Sequence, residues 1–300
     1  MKNNLDKHFI DKEEDFLKSY DENDYKRPSV TNDIIIFTTD DIEEGNLRKV
    51  PKKGMQVILI KRDDYPYIDK WALPGGFVSI EESLEVSAKK KLKEKTGIDN
   101  IYIEQLYTFG DVDRDKRTRV ISVGNIALVE KSSIRLNGLD LQNKSGWFWV
   151  DKTLISSEKQ EQYIENKHLL SIKSTDEKII INYEITEKIG RDIFRRKETY
   201  YRLLNNSTEE LAFDHYKILD YGIDRLRNKI EYTPIAFNLL PRVFTVKELQ
   251  NVYEAIMGRE ILNFRRKMGE MIIETDEKIE GKPFRPAKVF KFNENWEHNF

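Results

Sequence analysis

A double glycine followed by a short, charged helix constrains the fold of this chain more than any other feature. Gly75 and Gly76 end a predicted strand in a turn, where the missing side chains let the backbone approach a ligand closely. A helix is predicted over 82–95, and Gly97 behind it is a typical helix C-cap. Predicted strands on both sides of this helix favour a mixed sheet packed between helices.

The predicted strands are short apolar runs rich in β-branched residues and bounded by glycine, proline or charged loops. They lie at 33–37, 55–60, 101–109, 119–130 and 147–150, with one more strand-like run at 178–185. The charged stretch 38–54 reads as a hairpin-like connection.

Three positions of the charged helix, Lys91, Glu94 and Lys95, are spaced to share one face. Two lysines and one glutamate give that face a charge of +1. An ammonium group donates hydrogen bonds but cannot coordinate a cation, so this face should repel divalent metal ions. It could instead hold a phosphate ester, or it could be an ordinary solvated face, as we expect for Lys89 and Lys93.

The spacing resembles the Nudix box, in which Gly76 opens the frame, Glu82 is the first acid and Gly97-Ile98 closes it. In active Nudix hydrolases, carboxylates at positions 91, 94 and 95 bind Mg²⁺ or Mn²⁺ at a pyrophosphate. The resemblance therefore implies a Nudix frame without its hydrolytic chemistry, with no metal site and no catalytic residue. Glu82 and Glu94 alone could hold a cation only weakly.

A charged loop between the strands predicted at 101–109 and 119–130 is similar to the Arg-Asp-Pro-Arg loop of ADP-ribose-handling Nudix proteins. Arg114, Asp115 and Arg117 match it, while Lys116 replaces the proline. Two arginines beside a glycine loop could grip a diphosphate, although a charged exposed turn is an equally simple interpretation. The predicted ligand site consists of Arg62, Gly75, Gly76, Glu82, Lys91, Glu94, Lys95, Arg114 and Arg117.

Composition excludes several classes of protein. The 300 residues include no cysteine, which excludes disulfides and thiolate sites, and the four histidines form no i, i+4 pair. No apolar run has the length of a membrane helix, and the start has no signal-peptide core, so we expect a soluble cytoplasmic protein. A net charge of −2 leaves nucleic-acid binding to a local basic patch.

The C-terminal part has the pattern of a helix, a turn, a second helix and a basic hairpin. Thr245 and Glu248 predict a capping box at the start of the first helix, and Gly258 ends it. A second helix is predicted over about 260–274, and strands at 278–282 and 285–292. This order is typical of a winged helix-turn-helix, although a helical dimerisation domain with solvated charges remains an alternative. The predicted DNA-binding residues are Thr245, Asn263, Arg265, Arg266, Lys267, Lys282, Arg285 and Lys288.

Together the two halves resemble the Nudix-related transcriptional regulators of the NrtR type. Beyond the box, the resemblance rests on Ala212-Phe213-Asp214-His215, Phe244-Thr245-Val246-Lys247-Glu248-Leu249 and Asn263-Phe264-Arg265-Arg266-Lys267. It covers about 28–151 and 211–292. The expected fold is α+β multidomain, a Nudix α/β/α sandwich with a mixed sheet followed by a winged helix-turn-helix domain. The expected divisions are an N-terminal lead (1–31), a Nudix-like sensor (32–151), an insertion or linker subdomain (152–212) and the DNA-binding domain (213–300).

The resemblance implies a homodimeric regulator of NAD or sugar metabolism that binds double-stranded operator DNA, and it is expected to act as a repressor. Its effector would be ADP-ribose, a nucleotide sugar or a sugar phosphate, with no required cofactor. Two alternatives stay open: a Mg²⁺-dependent ADP-ribose pyrophosphatase, and a ligand-binding protein whose C-terminal domain only dimerises.

Overall fold

The computed structural model describes residues 12–43, 50–97, 101–134, 145–277 and 288–297, without the side chains of Lys95 and Thr96. Its main feature is a ten-stranded mixed sheet in the order β10-β9-β8-β7-β2-β1-β6-β5, with the short strands β3 and β4 paired to β2 and β1. The strands are β1 Ser29–Asp41, β2 Lys53–Lys61, β3 Trp71–Ala72, β4 Gly75–Phe77, β5 Tyr102–Phe109, β6 Val120–Leu128, β7 Ser145–Lys159, β8 Tyr163–Ser174, β9 Ile180–Gly190 and β10 Lys197–Leu203.

The central strand β1 explains why its sequence reads as a continuous apolar run. It pairs with β6 in parallel and with β2 and β4 antiparallel. Ile34 and Ile36 enter a small core on one face of the sheet, while Ile35 and Phe37 enter the large core on the other. Both faces are therefore covered, which is the condition under which strands lose their polar alternation.

Two helices cover these faces. Helix α1 (Leu84–Thr96) places Leu92 in the small core, begins at the Ser83 cap and ends at Gly97, which has a left-handed backbone. Helix α2 (His215–Ile230) packs on the opposite face. A Cβ at Gly222 would lie 2.2 Å from Ile35 Cδ1, so α2 approaches β1 more closely than a side chain would allow. The sheet between two helices confirms the expected α/β/α sandwich.

The segment 152–212 extends the sheet. The expected boundary at 151 falls inside β7, and β8, β9 and β10 continue from it as antiparallel neighbours. The strand predicted at 147–150 is thus the start of a 15-residue strand, and the run at 178–185 forms part of β9. Charged residues in these strands concealed the pattern, because β7 and β10 each expose one side to solvent.

The expected lead segment 1–31 contains, where it is described, an exposed helix over 12–19 and a 3-10 turn at Glu22–Asp24. Strand β1 already begins at Ser29. In the part of the chain that the structure describes, no helix combines the length and apolar character needed to cross a membrane.

The C-terminal part forms a winged helix. Helix α3 (Val246–Met257) is followed by α4 (Phe264–Met268) and a three-stranded sheet, in which β11 (Phe244–Thr245) and β12 (Ile272–Thr275) flank β13 (Val289–Phe292). Its buried residues belong to the same core as α2 and one face of the large sheet.

The prediction of a second helix over 260–274 was wrong in extent. Gly269 has φ +47° and ends α4 after five residues, a 3-10 turn follows at Gly269–Met271, and Ile272 enters β12. Ile272 has a helix-compatible spacing from Met268, but it is buried by pairing across from Phe292. The wing strand predicted at 278–282 and the first three residues of the one predicted at 285–292 lie outside the described residues, and the end of the latter forms β13.

Candidate functional site

A cleft beside the glycine turn collects five of the predicted ligand residues. Its volume is about 270 Å³. Its lining includes Arg62, Gly75, Gly76, Arg114 and Arg117, together with Asp33, Phe77, Asp115, Phe213 and His215. The residues come from the ends of β1, β2 and β4, the 111–119 loop and the segment that leads into α2. Because these parts are far apart in sequence, only the folded sheet brings them together.

Gly75 allows the turn to press against the central strand. A Cβ at this position would lie 2.4 Å from the Asn32 carbonyl oxygen and 2.5 Å from Asp33 Oδ1. Any side chain would separate β4 from β1, because neither neighbour is the free end of a flexible side chain. Gly75 is thus required for the packing of β4 on β1, and its close approach to a ligand stays a prediction.

Arg114 forms a buried ion pair beneath the cleft. Its Nε and Nη2 donate to the two carboxylate oxygens of Asp214 over 3.1 and 2.6 Å, and Nη2 lies 3.6 Å from Asp33 Oδ2. Only 4% of the Arg114 side chain is exposed. The fork expected to grip a diphosphate is thus already engaged by a carboxylate of the segment that begins α2.

Arg117 is the more accessible of the two arginines in the loop. Its Nε and Nη2 bind the Asp115 carboxylate over 3.1 and 2.8 Å, and 40% of its side chain is exposed. Hydrogen bonding to Asp115 raises the pKa of Arg117. Burial alone would raise the pKa of Asp115, but its hydrogen bonds from Arg117 outweigh burial and lower it. The guanidinium is therefore a fixed positive charge at the mouth of the cleft.

Aromatic rings border these arginines. Arg62 lies 4.9 Å from the ring centre of Phe213, and Arg117 lies 5.4 Å from that of Phe77 and 6.0 Å from that of Phe213. Phe213 also contacts Tyr67, with ring centres 4.8 Å apart. Phe213 has a left-handed backbone, with φ +52°, which is rare for an aromatic residue. Flat apolar faces beside guanidinium groups suit a ligand that joins an aromatic ring to an anionic group.

Three further residues at the cleft, Phe213, Asp214 and His215, were not predicted as site residues, although their tetrapeptide carried part of the family resemblance. His215 Nδ1 accepts a hydrogen bond from the Leu73 backbone N–H over 2.9 Å, and Nε2 lies 3.6 Å from Asp33 Oδ1. Burial lowers the pKa of His215, against the opposing pull of Asp33 and Asp214, so the imidazole is neutral at pH 7. The first residue of α2 is thereby bonded to the strand before the glycine turn.

The charged positions of α1 lie behind the glycine turn. Lys91 Nζ would be 3.1 Å from a Cβ on Gly76, so this ammonium group contacts the turn directly. Glu82 accepts a hydrogen bond from Lys90 over 2.7 Å. Glu94 is exposed, and the side chain of Lys95 lies outside the described residues. Among described residues, Glu82, Lys91 and Glu94 do not line the cleft itself.

The predicted DNA-binding residues differ in their environments. Arg265, Arg266 and Lys267 are adjacent and exposed on α4, and the Arg265 guanidinium lies 4.9 Å from the Phe290 ring centre. Asn263 is exposed at the start of α4, with φ +55°, and Lys288 pairs with Glu274 on the wing over 2.9 Å. Lys282 and Arg285 lie outside the described residues.

Thr245 has a structural partner. Its hydroxyl accepts from the Glu248 backbone N–H over 3.2 Å and donates to Glu248 Oε2 over 2.9 Å. The predicted capping box is confirmed. Only 6% of Thr245 is exposed, so its hydroxyl caps α3 and does not face solvent as a DNA contact would require.

Comparison with known proteins agrees with both halves of the fold. The NUDIX domain model matches residues 49–170, and the NrtR DNA-binding winged helix domain model matches residues 236–292. The chain is 32% identical over 296 residues to the ADPR responsive transcriptional repressor NtrR of Acinetobacter baylyi, an alignment that covers 96% of this chain and 92% of the relative. The chain belongs to the NrtR-type Nudix-related transcriptional regulators.

Solved structures show the same two-part architecture as this NrtR-type chain. A MutT/nudix family protein from Enterococcus faecalis aligns with a TM-score of 0.63 and 26% identity, covering 95% of this chain and 93% of the other. NrtR of Shewanella oneidensis, in complex with a 27mer DNA, aligns with a TM-score of 0.58 and 25% identity, covering 88% and 93%. The expected resemblance and fold class are therefore confirmed, and the NrtR-type chain is a transcriptional regulator.

Proposed function

We propose that this regulator is an operator-binding repressor whose cleft binds ADP-ribose without cleaving it. The observation that supports the proposal most strongly is the convergence of Arg62, Arg117 and Phe213 beside the glycine turn. ADP-ribose carries a diphosphate, an adenine ring and two riboses. Guanidinium groups suit the diphosphate, and the faces of Phe77 and Phe213 suit the adenine. The named effector of the Acinetobacter baylyi relative agrees with this chemistry.

Helix α2 supplies the connection between the cleft and the winged helix. At its start, Asp214 holds Arg114 and His215 holds the Leu73 N–H. Near its end, Arg227 donates to the Ile256 carbonyl of α3 over 2.9 Å and to the Lys152 carbonyl of β7 over 2.8 Å. A ligand that prefers one position of α2 would therefore change the position of α3. Such a preference is the thermodynamic requirement for coupling effector and DNA binding.

The residues of the Nudix box do not fit a catalytic magnesium ion. Mg²⁺ requires anionic oxygen ligands, whereas position 91 supplies an ammonium group that contacts Gly76. Glu82 is paired with Lys90. Among the described residues, the acids close enough to share one ion are Glu187, Asp220 and Asp224, and Lys152 Nζ lies 2.6–3.5 Å from all three. We therefore include no hydrolytic step in the proposal.

The regulator is further proposed to be a cytoplasmic homodimer that controls genes of NAD or sugar metabolism. Family resemblance supports this part, together with the usual match between two-fold symmetric proteins and palindromic operators. The exposed cations of α4 supply the positive surface that phosphate contacts require.

Calorimetric titration of the full chain with ADP-ribose tests the ligand assignment, with ribose 5-phosphate and AMP as partial ligands. We expect ADP-ribose to bind at least tenfold more tightly than either, because only ADP-ribose joins the adenine ring to a diphosphate and a second ribose. Equal affinities for all three would remove the ADP-ribose assignment.

Incubation of the protein with ADP-ribose and Mg²⁺ separates the regulator from its hydrolase alternative. We expect the nucleotide to remain intact by chromatography. Turnover at ordinary enzyme rates would contradict the proposal. Titration of promoter DNA at several salt concentrations separates it from the dimerisation-only alternative, which predicts no DNA binding.

A further inference from the structure

Strand β10 lies at one edge of the large sheet, and its outer side is exposed. The strand pairs with β9 and with no other described strand. Gly190 N–H donates to the Arg196 carbonyl, and Leu204 N–H donates to the Asn182 carbonyl. Even-numbered residues of β10 therefore direct their backbone groups toward β9. By the alternation of antiparallel ladders, the backbone groups of Lys197, Thr199, Tyr201 and Leu203 point outward.

We propose that a second copy of this chain pairs with this edge, β10 against β10 in antiparallel orientation, with the two-fold axis beside Tyr200. This interface rests on the homodimer that forms part of the proposed function. It joins the sheets of two protomers through backbone hydrogen bonds, as in β-strand addition, and it is isologous, as a two-fold axis requires.

The sequence of β10 is complementary to itself in this register. Glu198, Tyr200 and Arg202 are exposed on one face of the strand. With the axis at Tyr200, Glu198 lies opposite Arg202 of the second copy, and the reciprocal pair forms on the other side. In this register Thr199 of one copy also lies opposite Tyr201 of the other, and both residues direct their backbone N–H and C=O groups outward. The same register therefore satisfies the backbone hydrogen bonds and the charge pairs. Directly opposed charges of opposite sign stabilise a strand pair.

The turn between β9 and β10 gives an independent argument. Ile193 and Phe194 are 91% and 75% exposed, which is unusual for large apolar side chains. Because the second copy runs antiparallel, this turn lies at the end of the interface where the partner's chain continues beyond Leu203. Pairing at the edge thus brings Ile193 and Phe194 toward the partner's 204–208 segment.

The opposite edge of the sheet is less suitable. Strand β5 contains a bulge between Gln105 and Tyr107, and bulges are a common protection against edge pairing. Strand β10 pairs with β9 without any register shift. The two edges therefore provide a matched comparison within one molecule.

Single cysteines test the interface in a chain that has none of its own. Tyr200→Cys places a thiol opposite itself at the axis, and Tyr107→Cys places one at similar exposure, 52% against 55%, on the other edge. After mild oxidation, we expect a covalent dimer for Tyr200→Cys and none for Tyr107→Cys. A wild-type dimer whose Tyr200→Cys variant stays unlinked would remove this interface, and a wild type that is monomeric throughout would remove the homodimer as well.

Charge reversal adds a test that does not depend on cross-linking. Glu198→Arg and Arg202→Glu should each raise the dimer dissociation constant at least tenfold in sedimentation equilibrium, because each places like charges across the axis. Mixing the two variants should restore association, because every opposed pair is then of opposite sign. Both variants should bind ADP-ribose as the wild type does, since the cleft is formed by other strands. Unchanged dimers for both single variants, or a mixture that remains monomeric, would contradict the proposal.

Discussion

The cleft and the winged helix use arginine in opposite ways. Beneath the cleft, Arg114 is almost fully buried and both prongs of its fork bind Asp214. On α4, Arg265 and Arg266 are exposed, and Arg265 lies over the Phe290 ring. The buried arginine fixes one part of the protein to another, whereas the exposed ones remain available for a partner.

The difference follows from solvation. A buried charge keeps its position because losing its partner leaves it unsolvated, while an exposed charge loses little when a partner is absent. Breaking the buried pair beneath the cleft should therefore lower the free energy of unfolding. Removing an exposed arginine of α4 should instead weaken salt-dependent DNA binding. The following predictions test that division.

Asp214→Ala should have the largest effect. It leaves the Arg114 guanidinium buried without its partner, so the free energy of unfolding should fall by about 3–5 kcal/mol. Urea denaturation measures it. Asp111→Ala is the control, because it removes the exposed partner of Lys217 and should cost at most about 1 kcal/mol. Similar losses for both variants would show that burial of Arg114 is not decisive.

Glu187, in the buried cluster around Lys152, should cause much of the loss of stability between pH 4.5 and pH 2. Burial alone would raise the pKa of Glu187, but hydrogen bonds with His168 and Lys197 and the charge of Lys152 lower it from 4.5 to about 2. The resulting stabilisation, on the order of 3 kcal/mol, is complete above pH 4.5 and is lost as the pH falls toward 2. Denaturation across this range should show a shallower pH dependence for Glu187→Gln. An unchanged slope would remove Glu187 as the cause.

Arg117→Ala should weaken ADP-ribose binding by about 1.5–3 kcal/mol, because it removes a charge-assisted contact at the mouth of the cleft. Calorimetry measures the affinity. Arg259→Ala is the matched control, since Arg259 is an exposed arginine paired with Glu231 away from the cleft. If both variants bound equally well, Arg117 would not belong to the effector site.

Arg265→Ala should leave stability nearly unchanged and weaken operator binding. The expected loss of binding free energy is about 1–3 kcal/mol if the side chain contacts a base. If it contacts a phosphate, the slope of log affinity against log salt concentration should decrease by about 1. Fluorescence anisotropy at several salt concentrations distinguishes these outcomes. Arg27→Ala, in the exposed N-terminal segment, is the control. An isotherm identical to that of the control would exclude Arg265 from the DNA interface.

Thr245→Ala should have the smallest effect. Loss of the α3 cap should lower the free energy of unfolding by about 0.5–2 kcal/mol, while the folded variant keeps its DNA affinity. Thermal unfolding and anisotropy measure the two quantities. Full stability together with weaker DNA binding would restore Thr245 to the DNA-binding set.

The sequence predicted those parts of the fold that depend on local signals. Short-range periodicity and turn chemistry predicted the glycine frame, both glycine C-caps, the capping box at Thr245 and the central strands. The short α4 did not, because Met268 and Ile272 have a helical spacing that Gly269 interrupts. The sheet extension was missed because β7 and β10 carry many exposed charged residues.

The site was predictable only in part. The arginines were found because a charged loop beside glycines is a local pattern. Asp214 lies one hundred residues from Arg114 in sequence, and only the packing of α2 on the sheet shows that it occupies the guanidinium fork. Phe213 and His215 could not be predicted either, because an aromatic residue and a histidine near the start of a helix form no pattern specific to a binding site.

We infer that the cleft holds ADP-ribose intact and transmits its binding to the winged helix. Anisotropy of a labelled promoter duplex, followed during titration with ADP-ribose in the presence of Mg²⁺, tests it most directly when the nucleotide is recovered afterwards. We expect release of DNA with ADP-ribose recovered unchanged. DNA that stays bound at saturating ADP-ribose, or release accompanied by AMP and ribose 5-phosphate, would contradict it.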